Sequence, residues 1–280
     1  MELAYSRWPA QFSESARTKL VFLHGMGGTG ALWRPIAAVL EDEFDVLAPD
    51  QRGHGKSQLA TAAGGRVEPA YTPLDYGRDL VESLGSLSFH PAFVIGHSMG
   101  VRSACALAHL KSEWVKGLVL IDLGFSGPAG GGLGENLATF IQKLPQGFPN
   151  RAAARNFMDR ECPDPSITQY LMAVSVTDPS TNEVSFPFDH GALVQTIHAA
   201  RDVSVRGWIK EAGIRGTPVL VLRGAESKVW SHEEFEAERA ALKAYPSILF
   251  EEFAGTGHGL PYERRKDFVS RLKRFVLESS

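Results

Sequence analysis

The 280-residue sequence predicts a doubly wound α/β architecture: a mostly parallel sheet with helices on both faces and a helical cap inserted between two strands. Three observations carry this expectation. Short apolar runs rich in β-branched residues recur, each followed by a glycine-containing turn and a helical pattern. The runs are apolar almost throughout rather than alternating, as strands buried on both faces are. A long stretch from about Phe125 to Gly213 breaks this rhythm and shows helical patterns only.

The first four runs are Leu20-Val21-Phe22-Leu23, Val46-Leu47-Ala48, Phe93-Val94-Ile95 and Leu118-Val119-Leu120-Ile121. Val219-Leu220-Val221-Leu222 makes a fifth, and Ile248-Leu249-Phe250 a sixth. Right-handed crossovers between such strands give an open doubly wound sheet. Ligands then bind beyond the carboxyl ends of the strands, where reactive residues are to be sought. The insertion opens with Ser126-Gly127-Pro128-Ala129-Gly130-Gly131-Gly132 and continues with helical patterns near 137–144, 152–158, 167–176 and 193–200. Residues 1–124 and 214–280 are therefore expected to form the core. Residues 125–213 are expected to form a cap over the sheet edge, excluding water and shaping a pocket. The aromatic residues of this stretch partly pack its own core, so they argue only modestly for an apolar pocket.

Composition narrows the function. Apolar residues are 44% of the chain and charged residues 22%, with a formal net charge of −3. No basic patch marks a nucleic-acid partner. The run Arg264-Arg265-Lys266 lies in an amphipathic helical pattern and reads as a solvated face. No apolar segment approaches the roughly 18 residues of a membrane span, and no secretory signal is visible. Cys105 and Cys162 are too few for a disulfide framework and lack metal-ligand spacing. Cys105 sits in a helical apolar pattern and is expected to be a core residue. A cytoplasmic protein without metal or cofactor is the expectation.

The third run leads directly into Gly96-His97-Ser98-Met99-Gly100 and then a helical pattern. A serine on a sharp strand-to-helix turn projects its hydroxyl above the sheet edge, and such a turn needs small flanking residues. The pentapeptide alone is a weak signal; its placement between strand and helix strengthens it. After the first run comes His24-Gly25-Met26-Gly27-Gly28-Thr29-Gly30. Acyl transfer places negative charge on the former carbonyl oxygen, and the backbone amides of Met26 and Met99 are the expected oxyanion donors. His24 is expected to be structural, and the Lys-Ser/Thr ending of a phosphate-binding loop is absent. Near the end, Gly255-Thr256-Gly257-His258-Gly259 follows the sixth run. His258 in this loop is the expected base, with a side chain suited to shuttling protons near neutral pH. For the acid that orients it, Asp122 at the end of the fourth run competes with Glu226 after the fifth.

Together these segments resemble the α/β-hydrolase superfamily across nearly the whole chain. HGMGGTG at 24–30, DQRGHGKS at 50–57, GHSMG at 96–100 and GTGHG at 255–259 carry the resemblance. It implies an α/β-hydrolase fold and a structural role for residues 50–57. In many relatives the acid stands just beyond the glycine that follows the penultimate strand. Here that place is Ser227, with Glu226 one residue early. Asp122 matches a minority pattern among acyl esterases of the superfamily and is favoured, with Glu226 as the alternative. A second departure is Val101-Arg102, where relatives often carry small residues. Arg102 resembles a position that pairs with a substrate carboxylate in the menaquinone-pathway synthase of this fold; an ion pair with a neighbouring helix is the blander reading.

The expected activity is cleavage of a carboxylic ester or thioester of a small-molecule acyl substrate. A cofactor-free lyase or C–C bond hydrolase acting on a carboxylate-bearing substrate is one competing reading. A non-catalytic ligand-binding protein of the same fold is the other. Fold alone does not choose among them.

Overall fold

The computed structural model describes residues 1–10, 18–57, 70–127, 133–162, 165–201 and 203–279. The chain first lays down β1 (Tyr5–Trp8), β2 (Lys19–Leu23), α1 (Arg34–Leu40), β3 (Asp45–Pro49), α2 (Pro73–Ser86), β4 (Ala92–His97), α3 (Met99–Leu110) and β5 (Val115–Ile121). The inserted segment holds α4 (Leu133–Lys143), β6 (Gly147–Phe148), α5 (Arg151–Glu161), α6 (Pro165–Val174), β7 (Val176–Thr177), β8 (Val184–Ser185) and α7 (His190–Ala200). Then come α8 (Arg206–Ile214), β9 (Val219–Gly224), α9 (His232–Leu242), β10 (Ile248–Phe253), α10 (Leu260–Glu263) and α11 (Arg265–Glu278).

Seven strands form the main sheet in the order β1-β3-β2-β4-β5-β9-β10. Every neighbouring pair is parallel except β1 with β3. All six apolar runs of the sequence are strands of this sheet. β1 is the strand that the sequence reading missed. It is a half-exposed edge strand with an alternating burial pattern, so it carries no continuous apolar signal. Within the parallel strands, side chains alternate between two cores as the pleat requires. Val21, Val94, Leu118 and Val221 face a cluster built with α2, α3, α8 and α9. Leu20, Phe93, Val119 and Leu220 face a second cluster with α1 and α11. Cys105 lies in the first of these, and burial pushes its thiol up to about 12, as suits an inert core residue. Among the described residues no helix is long and apolar enough to cross a membrane.

The inserted segment has its own core, in which Phe140, Met158, Leu171, Phe186 and Leu193 meet. Most of its aromatic residues are spent here. The four helical patterns correspond to α4, α5, α6 and α7, but the expectation of helices alone needs correction. β6, β8 and β7 form a small antiparallel sheet. At two residues each, these strands are too short to show any periodicity. The packing of α8 also differs from a cap running to residue 213. Val205, Ile209 and Ala212 are buried in the core cluster shared with α3, so the seam falls before α8. Residues 128–132 of the glycine-rich opening lie outside the described residues.

Candidate active site

The register between β4 and β5 aligns His97 with Ile121, so the residues that follow, Ser98 and Asp122, leave neighbouring strands at the same level. Both turn sharply there. Ser98 adopts φ 53° and Asp122 φ 54°, left-handed values that cost a residue with a Cβ of order 1–3 kcal/mol. Hydrogen bonds across the sheet hold these turns: Ser98 N–H donates to the Ile121 carbonyl (2.9 Å) and Asp122 N–H to that of Leu222 (2.8 Å). The glycines around Ser98 are steric necessities. A Cβ at Gly96 would lie 2.3 Å from the Gly100 carbonyl oxygen, and one at Gly100 would lie 2.4 Å from that of Leu23.

His258 arrives from the loop after β10. Its Nε2 lies 3.0 Å from Ser98 Oγ, and its Nδ1 lies 2.7 Å from Asp122 Oδ2. Nδ1–H of the neutral imidazole donates to the carboxylate, which leaves Nε2 as an acceptor for the serine hydroxyl. Asp122 is fully buried yet well bonded. Oδ1 accepts from Gly224 N–H (3.0 Å), and Oδ2 accepts from the Ser227 hydroxyl (2.5 Å) as well as from His258. The His258 loop is braced from two sides. Its carbonyl accepts from His97 Nε2 (2.8 Å), and Glu263 accepts from Gly257 N–H (2.9 Å) and the Thr256 hydroxyl.

Of the two candidate acids, the structure brings Asp122 to His258 and leaves Glu226 outside. Glu226 is exposed; its backbone N–H donates to the Thr256 carbonyl, and no bond joins its carboxylate to His258. Ser227, noted in the sequence only as the place where an acid is missing, instead donates to the acid that arrives from β5. The signal for its role was that same displacement of the acid, which leaves a short polar side chain beside the relocated carboxylate.

The loop carrying Met26 presses on the serine: a Cβ at Gly25 would lie 3.0 Å from Ser98 Cβ. Met99 is the first residue of α3, whose N-terminus favours negative charge. No loop or cap hydrogen bond to a backbone acceptor among the described residues takes the amide hydrogen of Met26 or Met99. His24 is structural, with Nδ1 at the Gly25 carbonyl and Nε2 accepting from Gln51 N–H. Residues 50–57 form a braced turn in which the Asp50 carboxylate accepts from Gly30 N–H and Lys56 N–H.

Arg102 is almost wholly buried and forms no ion pair with the described residues. Its guanidinium donates to the carbonyls of Val203 and Gly127. The expected helix-to-helix ion pair is therefore replaced by bonds to backbone, and burial lowers its pKa. No group of three or more potential metal ligands occurs among the described residues.

This fold and this clustering at the carboxyl edge define the class. The chain belongs to the alpha/beta hydrolase family, whose model matches residues 20–272. It is 31% identical over 271 residues to the sn-1-specific diacylglycerol lipase ABHD11 of Danio rerio, covering 92% of this chain and 78% of that one. It is 26% identical over 213 residues to 2-(acetamidomethylene)succinate hydrolase of Mesorhizobium japonicum, covering 76% and 72%. Among solved structures, a marine microorganism esterase superposes with a TM-score of 0.76 at 19% identity, over 98% of this chain and 99% of that one. E-2-(acetamidomethylene)succinate hydrolase gives 0.76 at 22% identity, over 98% and 94%. At these identities the superpositions establish the fold.

Proposed function

We propose that this hydrolase cleaves a carboxylic ester or thioester through a Ser98–His258–Asp122 triad and an acyl-enzyme. The observation that carries this reading is the unbroken hydrogen-bonded chain from the Ser98 hydroxyl through both ring nitrogens of His258 to a buried, fully bonded carboxylate. Ser98 Oγ attacks the substrate carbonyl carbon as its proton passes to His258 Nε2. The resulting oxyanion takes hydrogen bonds from the Met26 and Met99 amides. Collapse breaks the bond to the leaving oxygen or sulfur, which receives the Nε2 proton. A water then gives a proton to Nε2 and attacks the acyl carbon, releasing the carboxylic acid and restoring Ser98. Asp122 fixes the tautomer and stabilises the imidazolium throughout.

The test is turnover of p-nitrophenyl esters from acetate to decanoate, with fluorophosphonate labelling, in the native protein and in Ser98→Ala. The reading expects hydrolysis and labelling that both vanish in the variant. Hydrolysis that survives the substitution removes the serine mechanism. Neither hydrolysis nor labelling in the native protein leaves a binding protein of this fold.

A further inference from the structure

Next to the triad lies a group of buried polar atoms that the mechanism above does not use. Trp33 Nε1, His97 Nδ1, Tyr170 Oη and Tyr262 Oη are all buried without a hydrogen-bond partner among the described residues. They belong to one place. The Tyr262 ring lies 5.5 Å from that of Trp33 and meets His97 edge-on at 5.9 Å; His97 lies 4.8 Å from His258. Tyr170 acts electrostatically on Tyr262. The group also borders the loop that carries Met26. A Cβ at Gly28 would lie 2.8 Å from the Tyr170 hydroxyl, and one at Gly25 would lie 3.3 Å from His97 Nδ1. One such orphan is tolerable; four together, each costly when left unpaired, call for a common partner.

The chemistry of the group limits that partner. Trp33 Nε1 is a donor only, and each tyrosine hydroxyl has a proton to give. His97 Nε2 donates to the His258 carbonyl, which leaves Nδ1 as the acceptor of the neutral ring. Burial and the neighbouring His258 hold the His97 pKa down at about 3, and burial raises both tyrosines. No cation is among these groups, and the buried Arg102 is committed to two carbonyls. A carboxylate here would be a buried charge without a counter-ion, which is costly. An apolar chain would leave the donors unpaired.

Resting on the esterase reading, we infer that Tyr170, Tyr262 and Trp33 form an acyl-side subsite that selects substrates bearing an uncharged oxygen, a keto, amide or hydroxyl group, near the scissile ester.

Three p-nitrophenyl esters of matched shape test this: levulinate (a 4-keto acyl group), 4-methylpentanoate (apolar) and hemisuccinate (carboxylate). The native protein is expected to prefer levulinate over 4-methylpentanoate by about tenfold in kcat/KM, the worth of one or two neutral hydrogen bonds, with hemisuccinate the poorest. In Tyr170→Phe and Tyr262→Phe the levulinate preference should shrink several-fold. Loss of a hydroxyl that merely supports the fold would lower all three esters together and leave the ratios intact, which overturns the inference. Equal use of levulinate and 4-methylpentanoate, as expected if resident water satisfies the group, overturns it too, and so does a preference for hemisuccinate. Fluorophosphonate labelling without levulinate turnover removes the subsite alone, whereas absence of both labelling and turnover removes the esterase reading with it.

Discussion

Replacing Asp122 by Asn tests the proposed triad at its most constrained point. Asparagine tolerates the left-handed φ of 54° at this position, so the backbone turn should survive. The side chain has no good orientation. Oδ1 must remain an oxygen, because Gly224 N–H points at it from 3.0 Å. The amide NH2 then takes the place of Oδ2, which now faces both the Ser227 hydroxyl and His258 Nδ1. An N–H aimed at Nδ1 makes that nitrogen the acceptor and moves the ring proton to Nε2, the nitrogen facing Ser98. The base is then blocked by its own proton. The inverted orientation sets two N–H groups against each other in a fully buried site. Losing the correct tautomer costs a Ser-His-Asp enzyme about 10⁴ in kcat, equivalent to about 5 kcal/mol of transition-state stabilisation at 1.36 kcal/mol per decade. Steady-state hydrolysis of a p-nitrophenyl ester, compared across Asp122→Asn, Glu226→Gln and the native protein, reads the effect. Glu226→Gln should stay within about twofold, since its carboxylate is exposed and unconnected to His258. A tenfold or smaller loss in Asp122→Asn, with the large loss in Glu226→Gln, would refute the assignment.

Two further outcomes follow from buried polar groups. Arg102→Met should leave the Val203 and Gly127 carbonyls without their donor, at about 1–3 kcal/mol each; the thermal midpoint should drop by several degrees while KM for acidic and neutral esters moves in parallel. An unchanged midpoint with KM raised for acidic esters alone would return Arg102 to a substrate role. His24, His54 and His97 are buried, and burial lowers them to about 4, 3 and 3 from the ordinary 6.5. Their folded pKa values lie below the unfolded ones, so unfolding takes up protons and stability falls as pH drops from about 6.5 toward 4. Near pH 5 these three histidines alone imply a slope approaching 4 kcal/mol per pH unit; urea denaturation at pH 5 and 6 showing no loss at the lower pH would contradict it.

Much of this was legible in the sequence because the physics involved is local. A strand buried on both faces must be apolar throughout, which made β2, β3, β4, β5 and β9 visible; β10, a half-exposed edge strand, showed only the short run Ile248-Leu249-Phe250. Ser98, His258 and the Met26 loop each follow such a strand and carry the small residues their turns require. β1 was invisible because a half-exposed edge strand of four residues alternates too briefly to stand out. The two-residue strands of the cap had no period at all. Arg102 is a different case. Its hydrogen-bond partners are backbone carbonyls at residues 127 and 203, and sequence cannot display a backbone acceptor brought in by tertiary packing. Tyr262 passed unnoticed, and Tyr170 counted only among the aromatic residues of the insertion, for the same reason, since what distinguishes them is the lack of a partner.

The displaced acid shows how position in space and position in sequence part company. Ser227 Oγ and His258 Nδ1 reach the same oxygen of Asp122, at 2.5 Å and 2.7 Å. The tip of the loop after β9 and the end of β5 therefore converge on one point beside the imidazole. A carboxylate carried by either loop can serve His258 from nearly the same location, which is why a family pattern that places the acid after β9 can be met by one placed after β5. The exchange is not free of consequence. An acid on the β5 turn is fully enclosed, so its carboxylate needs hydrogen-bond partners from the protein in place of water. Gly224 N–H and the Ser227 hydroxyl provide those bonds from the strand and loop that would otherwise have held the acid itself. In the proposed triad, Ser227 therefore supports the Asp122 carboxylate from the loop on which many relatives carry the acid itself.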